Sequence, residues 1–121
     1  MQYYLTLCPK IPDANFESVA FPKASEQLET IEKRLGLPSH FEFFSYAAQN
    51  DLCPPEHQET EIPWYEPQVG IDWLDAVSND IRSNPASVPN ADQLLSDFSE
   101  CIGILKRAKP EGSKWHFAMD I

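Results

Sequence analysis

"KWHFAMDI", residues 114–121, decides the fold. Trp115, Phe117, Met119 and Ile121 alternate with His116, Ala118 and Asp120, the period of two that puts successive side chains on opposite faces of a sheet. An apolar strand of this kind is expected to dock against other strands rather than fray. The matching stretch is "QYYLTLC", residues 2–8, in which Tyr3, Leu5 and Leu7 alternate with Tyr4, Thr6 and Cys8. Pro9 and Pro12 end it, because neither can donate a ladder hydrogen bond. Helices packed on one face of the sheet are expected from the residues between these segments.

That cover reads as helical. Residues 24–35, "ASEQLETIEKRL", carry Leu28, Ile31 and Leu35 at i, i+3 and i+7, with Ser25 as a candidate N-cap and Gly36 then Pro38 as a stop. After Pro67, "QVGIDWLDAVSNDIRS" places Ile71, Leu74, Val77 and Ile81 on one face with Trp73 beside them. Asp72 and Asp75 are read as acids favoured by the positive end of that helix. "NADQ" opens a further helix, with Asn90 as N-cap and Gln93 three residues on. Its apolar stripe runs through Leu94, Leu95, Phe98, Cys101, Ile102 and Leu105, and Lys106, Arg107 and Lys109 gather at its end. The link "NPASVPN" is short, which predicts an antiparallel helix pair.

Two stretches are less regular. "HFEFFSYAA" is short and aromatic, and residues 41–46 are expected as a strand. Residues 47–66 have no periodicity and carry Pro54, Pro55 and Pro63. Connections longer than about 12–15 residues are uncommon in compact domains and are usually functional or disordered. The sequence therefore predicts one α+β domain over residues 1–121: about three mainly antiparallel strands, three helices packed on one face, and a long acidic loop near 47–66.

Charge is uneven along the chain. The formal net charge is −10, and the window between Arg34 and Arg82 holds nine acids and no Lys or Arg. Such a field opposes nucleic acid and anionic lipid and favours a basic partner. With 42% apolar residues, a packed core is expected. No run approaches the ~20 apolar residues of a membrane span. Three widely spaced cysteines without a CxxC pair read as free thiols, and a cytoplasmic location is the expectation.

The one cluster with chemical variety is "CPPEHQETE", residues 53–61. Cys53 and His57 with Glu56, Glu59 and Glu61 do not complete a zinc shell, since no second ligand pair follows. The anionic surroundings of Cys53 raise a thiol pKa, the reverse of what nucleophilic chemistry requires. No phosphate-binding glycine loop, nucleophile elbow or HExxH motif is present. No cofactor, metal or catalytic residue is therefore assigned.

"IPWYEP", residues 62–67, adds aromatics to the acids. Rings beside carboxylates hold Lys or Arg through cation–π and ion-pair contacts, and also serve as interface anchors. The sequence points to a non-enzymatic module for a basic protein partner, using Glu56, Glu59, Glu61, Trp64, Tyr65, Glu66, Asp72 and Asp75. By charge alone this is analogous to small acidic inhibitors of basic toxins or nucleases. The alternative is a small-ligand binder or enzyme with a pocket lined by Trp64, Tyr65, His57 and nearby carboxylates.

Overall fold

A computed structural model describes residues 1–45 and 63–120. The strands are β1 (Gln2–Cys8), β2 (Glu17–Ser18) and β3 (Lys114–Asp120), and the helices are α1 (Ala20–Leu35), α2 (Pro67–Ser83) and α3 (Ala91–Glu111). They form one antiparallel sheet in the order β2-β1-β3. The two alternating segments pair along their full length, from Gln2 opposite Asp120 to Cys8 opposite Lys114. The α+β class with three strands and three helices is as the sequence predicts.

The core lies between this sheet and the helices. Phe21 of α1 is at its centre and is fully buried. Its ring meets Tyr3 of β1 at 4.9 Å, Phe98 of α3 at 5.1 Å and Phe117 of β3 at 5.4 Å, all edge-to-face. That geometry sets the positive edge of one ring against the negative face of the next. α2 lies close against β3 at Gly70, where a Cβ would stand 2.5 Å from the Trp115 ring and 2.8 Å from Leu105. Glycine is required there for space, not for backbone conformation.

Several local expectations are corrected. The strand expected over residues 41–46 is not formed by 41–45, and residue 46 lies outside the described residues; His40–Phe43 is a 3-10 turn, and Phe44 makes a single parallel bridge to Phe117. The Ser39 hydroxyl caps that turn by accepting from the Phe41 N–H, and this local bond outweighs the strand propensity of the aromatics. The third strand is the two-residue β2, too short to give a periodic signal.

α1 begins four residues earlier than expected, at Ala20. The Ser18 hydroxyl accepts from the Phe21 N–H at 3.0 Å and donates to Asp97 of α3 at 2.7 Å. Pro22 is tolerated because first-turn N–H groups have no helical partner to lose. Ser25 is thus inside the helix and caps nothing. Leu35 is 40% exposed rather than core-facing. Asn90 takes a left-handed conformation with no side-chain cap, and Gln93 instead donates to Asp97 at 2.8 Å. α3 runs through Pro110 and stops at Gly112, whose φ of 68° suits the closing turn.

The thiol expectation holds for Cys101, which is free and buried, but Cys8 is disulfide-bonded. A disulfide persists in oxidising surroundings, so the thiol argument for a cytoplasmic location does not carry over. Among the described residues no helix is long and apolar enough to cross a membrane.

Candidate functional site

The residues singled out in the sequence divide into three groups. Glu56, Glu59, Glu61, Cys53 and His57 lie outside the described residues. Trp64 and Tyr65 run beside the far edge of β3. Glu66, Asp72 and Asp75 stand exposed at the start and along the outer face of α2.

Tyr65 is committed to the fold. Its N–H donates to the Trp115 carbonyl at 2.9 Å, and its own carbonyl accepts from the Trp115 N–H at 3.0 Å. Its ring packs edge-on to Phe43 at 5.3 Å, and its hydroxyl donates to the Glu42 carbonyl. Burial, and secondarily the Glu42 carboxylate, hold the phenol above its ordinary pKa. Trp64 covers the other face of the sheet, its ring 4.2 Å from that of His116. Its indole nitrogen is buried and has no hydrogen-bond partner among the described residues. His116 is itself fully buried, with Nδ1 3.1 Å from the Pro63 carbonyl. The 63–65 stretch therefore closes the sheet on its edge and on the side away from the helices.

Glu66 precedes α2, and Pro67 begins it, a position where a missing N–H costs no helical bond. The Glu66 carbonyl accepts from the Trp115 indole at 2.9 Å, and its carboxylate lies 3.5 Å from Lys114. Asp72 accepts from Gln68 at 2.7 Å, and Asp75 is exposed one turn on. The first turn of α2 contains no acid, so the dipole argument for Asp72 and Asp75 fails by position, since that field fades beyond one turn. Among the described residues neither aspartate belongs to an ion pair. Val69, 43% exposed, lies beside them. The outer face of α2 thus presents an apolar spot bordered by unneutralised carboxylates.

Cavities among the described residues lie elsewhere. One of about 230 Å³ opens between β1 and the 10–15 segment, and one of about 140 Å³ lies beside Glu29, Glu32 and Ser39. No three His, Cys, Asp or Glu side chains among the described residues converge as metal ligands.

The structure also reveals a polar relay that the sequence reading missed. The Ser25 hydroxyl is 2.7 Å from His40 Nε2, and His40 Nδ1 is 3.0 Å from Glu32 Oε2. The same carboxylate oxygen accepts from the His40 backbone N–H. His40 and Glu32 are both buried. Ser25 and Glu32 are seven residues apart, two turns along one face of α1, and the turn after Pro38 folds His40 back between them. That i, i+7 spacing was the available signal.

The order serine, imidazole, carboxylate is that of a hydrolase triad. Two features oppose a nucleophilic role. Ser25 sits in a helix interior, where backbone N–H groups are consumed by the helix and none is free to hold an oxyanion. The adjoining cavity is lined by Glu29, Glu32, Lys33, Leu37 and Ser39 and not by Ser25, so it does not offer a substrate to the Ser25 hydroxyl. The relay instead fastens the 39–43 turn to α1. Cys101 is no better a nucleophile, because complete burial, and then Glu100, push its thiol pKa up.

No protein-family model, curated protein or solved structure matches this chain.

Proposed function

We propose that the chain is a non-enzymatic interaction module that docks a basic protein partner on the outer face of α2. The supporting observation is that Asp72 and Asp75 belong to no ion pair among the described residues and stand beside exposed Val69 on one helix. Exposed like-charged groups on one helix face are unfavourable by a few tenths of a kcal/mol, and a cationic partner relieves that repulsion. The window of nine acids supplies the longer-ranged field, which accelerates encounter over about 8 Å at physiological salt. Glu56, Glu59 and Glu61 belong to the same proposed surface by sequence. Trp64 and Tyr65 act through it by holding the chain that leads into α2.

The test is capture from native lysate by the wild-type chain and by a variant carrying Asp72→Asn with Asp75→Asn. A partner of basic composition is expected with the wild type. Its association rate should fall steeply with added salt, and the variant should bind it more slowly. A partner that binds both chains at equal rates overturns the assignment to α2.

A further inference from the structure

β1 ends on a cysteine that carries a covalent partner. Cys8 closes the strand opposite Lys114 and is disulfide-bonded. The sequence holds three cysteines, Cys8, Cys53 and Cys101. Cys101 is a free thiol, fully buried on the inner face of α3, and is thereby excluded as the partner. Cys53, which lies outside the described residues, is the one intrachain partner left in the sequence.

The described chain on either side of residue 53 brings that partner within reach. The Ser45 N–H donates to the Phe117 carbonyl at 2.9 Å, and the Pro63 carbonyl lies 3.1 Å from His116 Nδ1. Both ends therefore stand against β3, the neighbour of β1. Phe117 is opposite Leu5 in register, three residues short of Cys8. Two strand spacings of ~4.8 Å across and three residues of ~3.3 Å along put Ser45 roughly 14 Å from Cys8. From 45 to 53 is eight residues and from 53 to 63 is ten, and eight extended residues span up to about 29 Å. The side of the sheet also agrees. Tyr3 meets Phe21 of α1, so the odd-numbered residues of β1 face the helices and Cys8 faces the opposite side. That is the side on which Trp64 packs over His116.

We infer that Cys8 and Cys53 form one intrachain disulfide, a structural bond that this chain acquires in oxidising surroundings. Forming it joins the two sulfurs and releases two protons and two electrons; a donor disulfide takes up both and leaves as two thiols. Oxidising compartments keep such bonds, whereas cytosolic glutathione and thioredoxin reduce them. The bond closes residues 8–53 into a covalent loop, which restricts the unfolded chain more than the folded one. This inference does not depend on the surface proposed on α2.

The experiment uses the full chain, refolded in a glutathione redox buffer, and a thiol-specific reagent. In denaturant without reductant one thiol per chain should react, that of Cys101, and after reduction all three should. Protease digestion without reductant should give a linked pair of peptides carrying Cys8 and Cys53, which reductant separates in the mass spectrum. Reduction should lower the Tm by on the order of 10 °C. Cys53→Ser should lower it equally and abolish any further response to reductant. Two reactive thiols per chain together with a covalent dimer overturn the inference, because they assign the bond to Cys8 of a second copy. Three reactive thiols before reduction, or a response to reductant that persists in Cys53→Ser, overturn it as well.

Discussion

The two faces of α2 are built from one stretch of seventeen residues and do opposite physical work. Inward, Ile71, Leu74, Val77 and Ile81 are each at most 4% exposed, and Gly70 lets the Trp115 ring lie against the backbone. Outward, Gln68, Val69, Asp72 and Asp75 are exposed, with Gln68 accepting from Lys109 of α3 at 2.5 Å and donating to Asp72 at 2.7 Å. Burial of an aliphatic side chain contributes about 1.5–3 kcal/mol, whereas exposed charges contribute little to stability. Stability therefore resides on the inner face, and the outer face contributes little to it. Substitutions that respect this division change one property at a time.

The largest effect is expected from removing what the inner face packs on. Deleting residues 115–121 takes away fully buried Trp115 and Phe117 and the pairing partner of β1. The loss is comparable with a domain's whole margin of about 5–15 kcal/mol. The truncated chain should show no cooperative melt by circular dichroism, and a native Tm would break the claim that the inner face depends on β3.

Gly70→Ala should come next. Its Cβ cannot be accommodated at 2.5 Å from Trp115 without displacing ring or helix, and overpacking of this kind costs about 1–3 kcal/mol. Denaturant titration measures it. A neutral result would mean that α2 and β3 separate readily, and the contrast between the faces would weaken.

Glu32→Ala tests whether the polar relay is a structural tie. It strands the His40 backbone N–H and the nitrogen opposite Ser25 in a buried site, and a buried donor without a partner costs about 1–3 kcal/mol. Ser25→Ala removes only the outer bond and should cost about 1 kcal/mol. Reaction of the wild-type chain with a serine-directed fluorophosphonate, abolished by Ser25→Ala, would overturn the structural assignment.

Legibility in the sequence follows the same division between regular and irregular segments. Alternation in residues 2–8 and 114–121, and the 3.6-residue stripes of α2 and α3, express burial on one side and could be read directly. The exchange of strand for turn at 40–43 could not, because a single capping hydroxyl, Ser39, decides it. β2 has two residues, below any periodic signal. At the candidate site, Asp72 and Asp75 were read as acids at the helix start, whereas their exposure follows from their spacing against the apolar stripe of α2. The backbone bridge of Tyr65 to Trp115 was not, since strand-edge pairing between distant segments leaves no local mark.

The outward face offers a finer contrast. Asp72→Asn with Asp75→Asn should leave the melting curve within about 0.5 kcal/mol of the wild type, as surface substitutions usually do. Binding of a basic partner should slow. If the pair of substitutions instead destabilises the chain, the outer face carries unrecognised structural contacts and the division fails.

The smallest expected effect distinguishes carboxylates within α2 itself. Asp80, near the end of the helix, differs from Asp72 and Asp75 because Arg34 of α1 grips it at 2.8 and 2.5 Å through two nitrogens. The guanidinium hydrogen bonds hold the Asp80 carboxyl below its ordinary value of 3.8. The sign follows directly: a carboxylate whose pKa is lowered on folding stabilises the folded state above its unfolded value, and this contribution is lost as pH falls through the lower folded one. Both partners are solvent-screened, so the loss should be a slight drop in Tm confined to acid below about pH 4. Arg34→Gln should remove that acid-dependent component while leaving the melt at neutral pH nearly unchanged. An acid profile left unchanged by Arg34→Gln would show that the α1–α2 grip does not persist in solution.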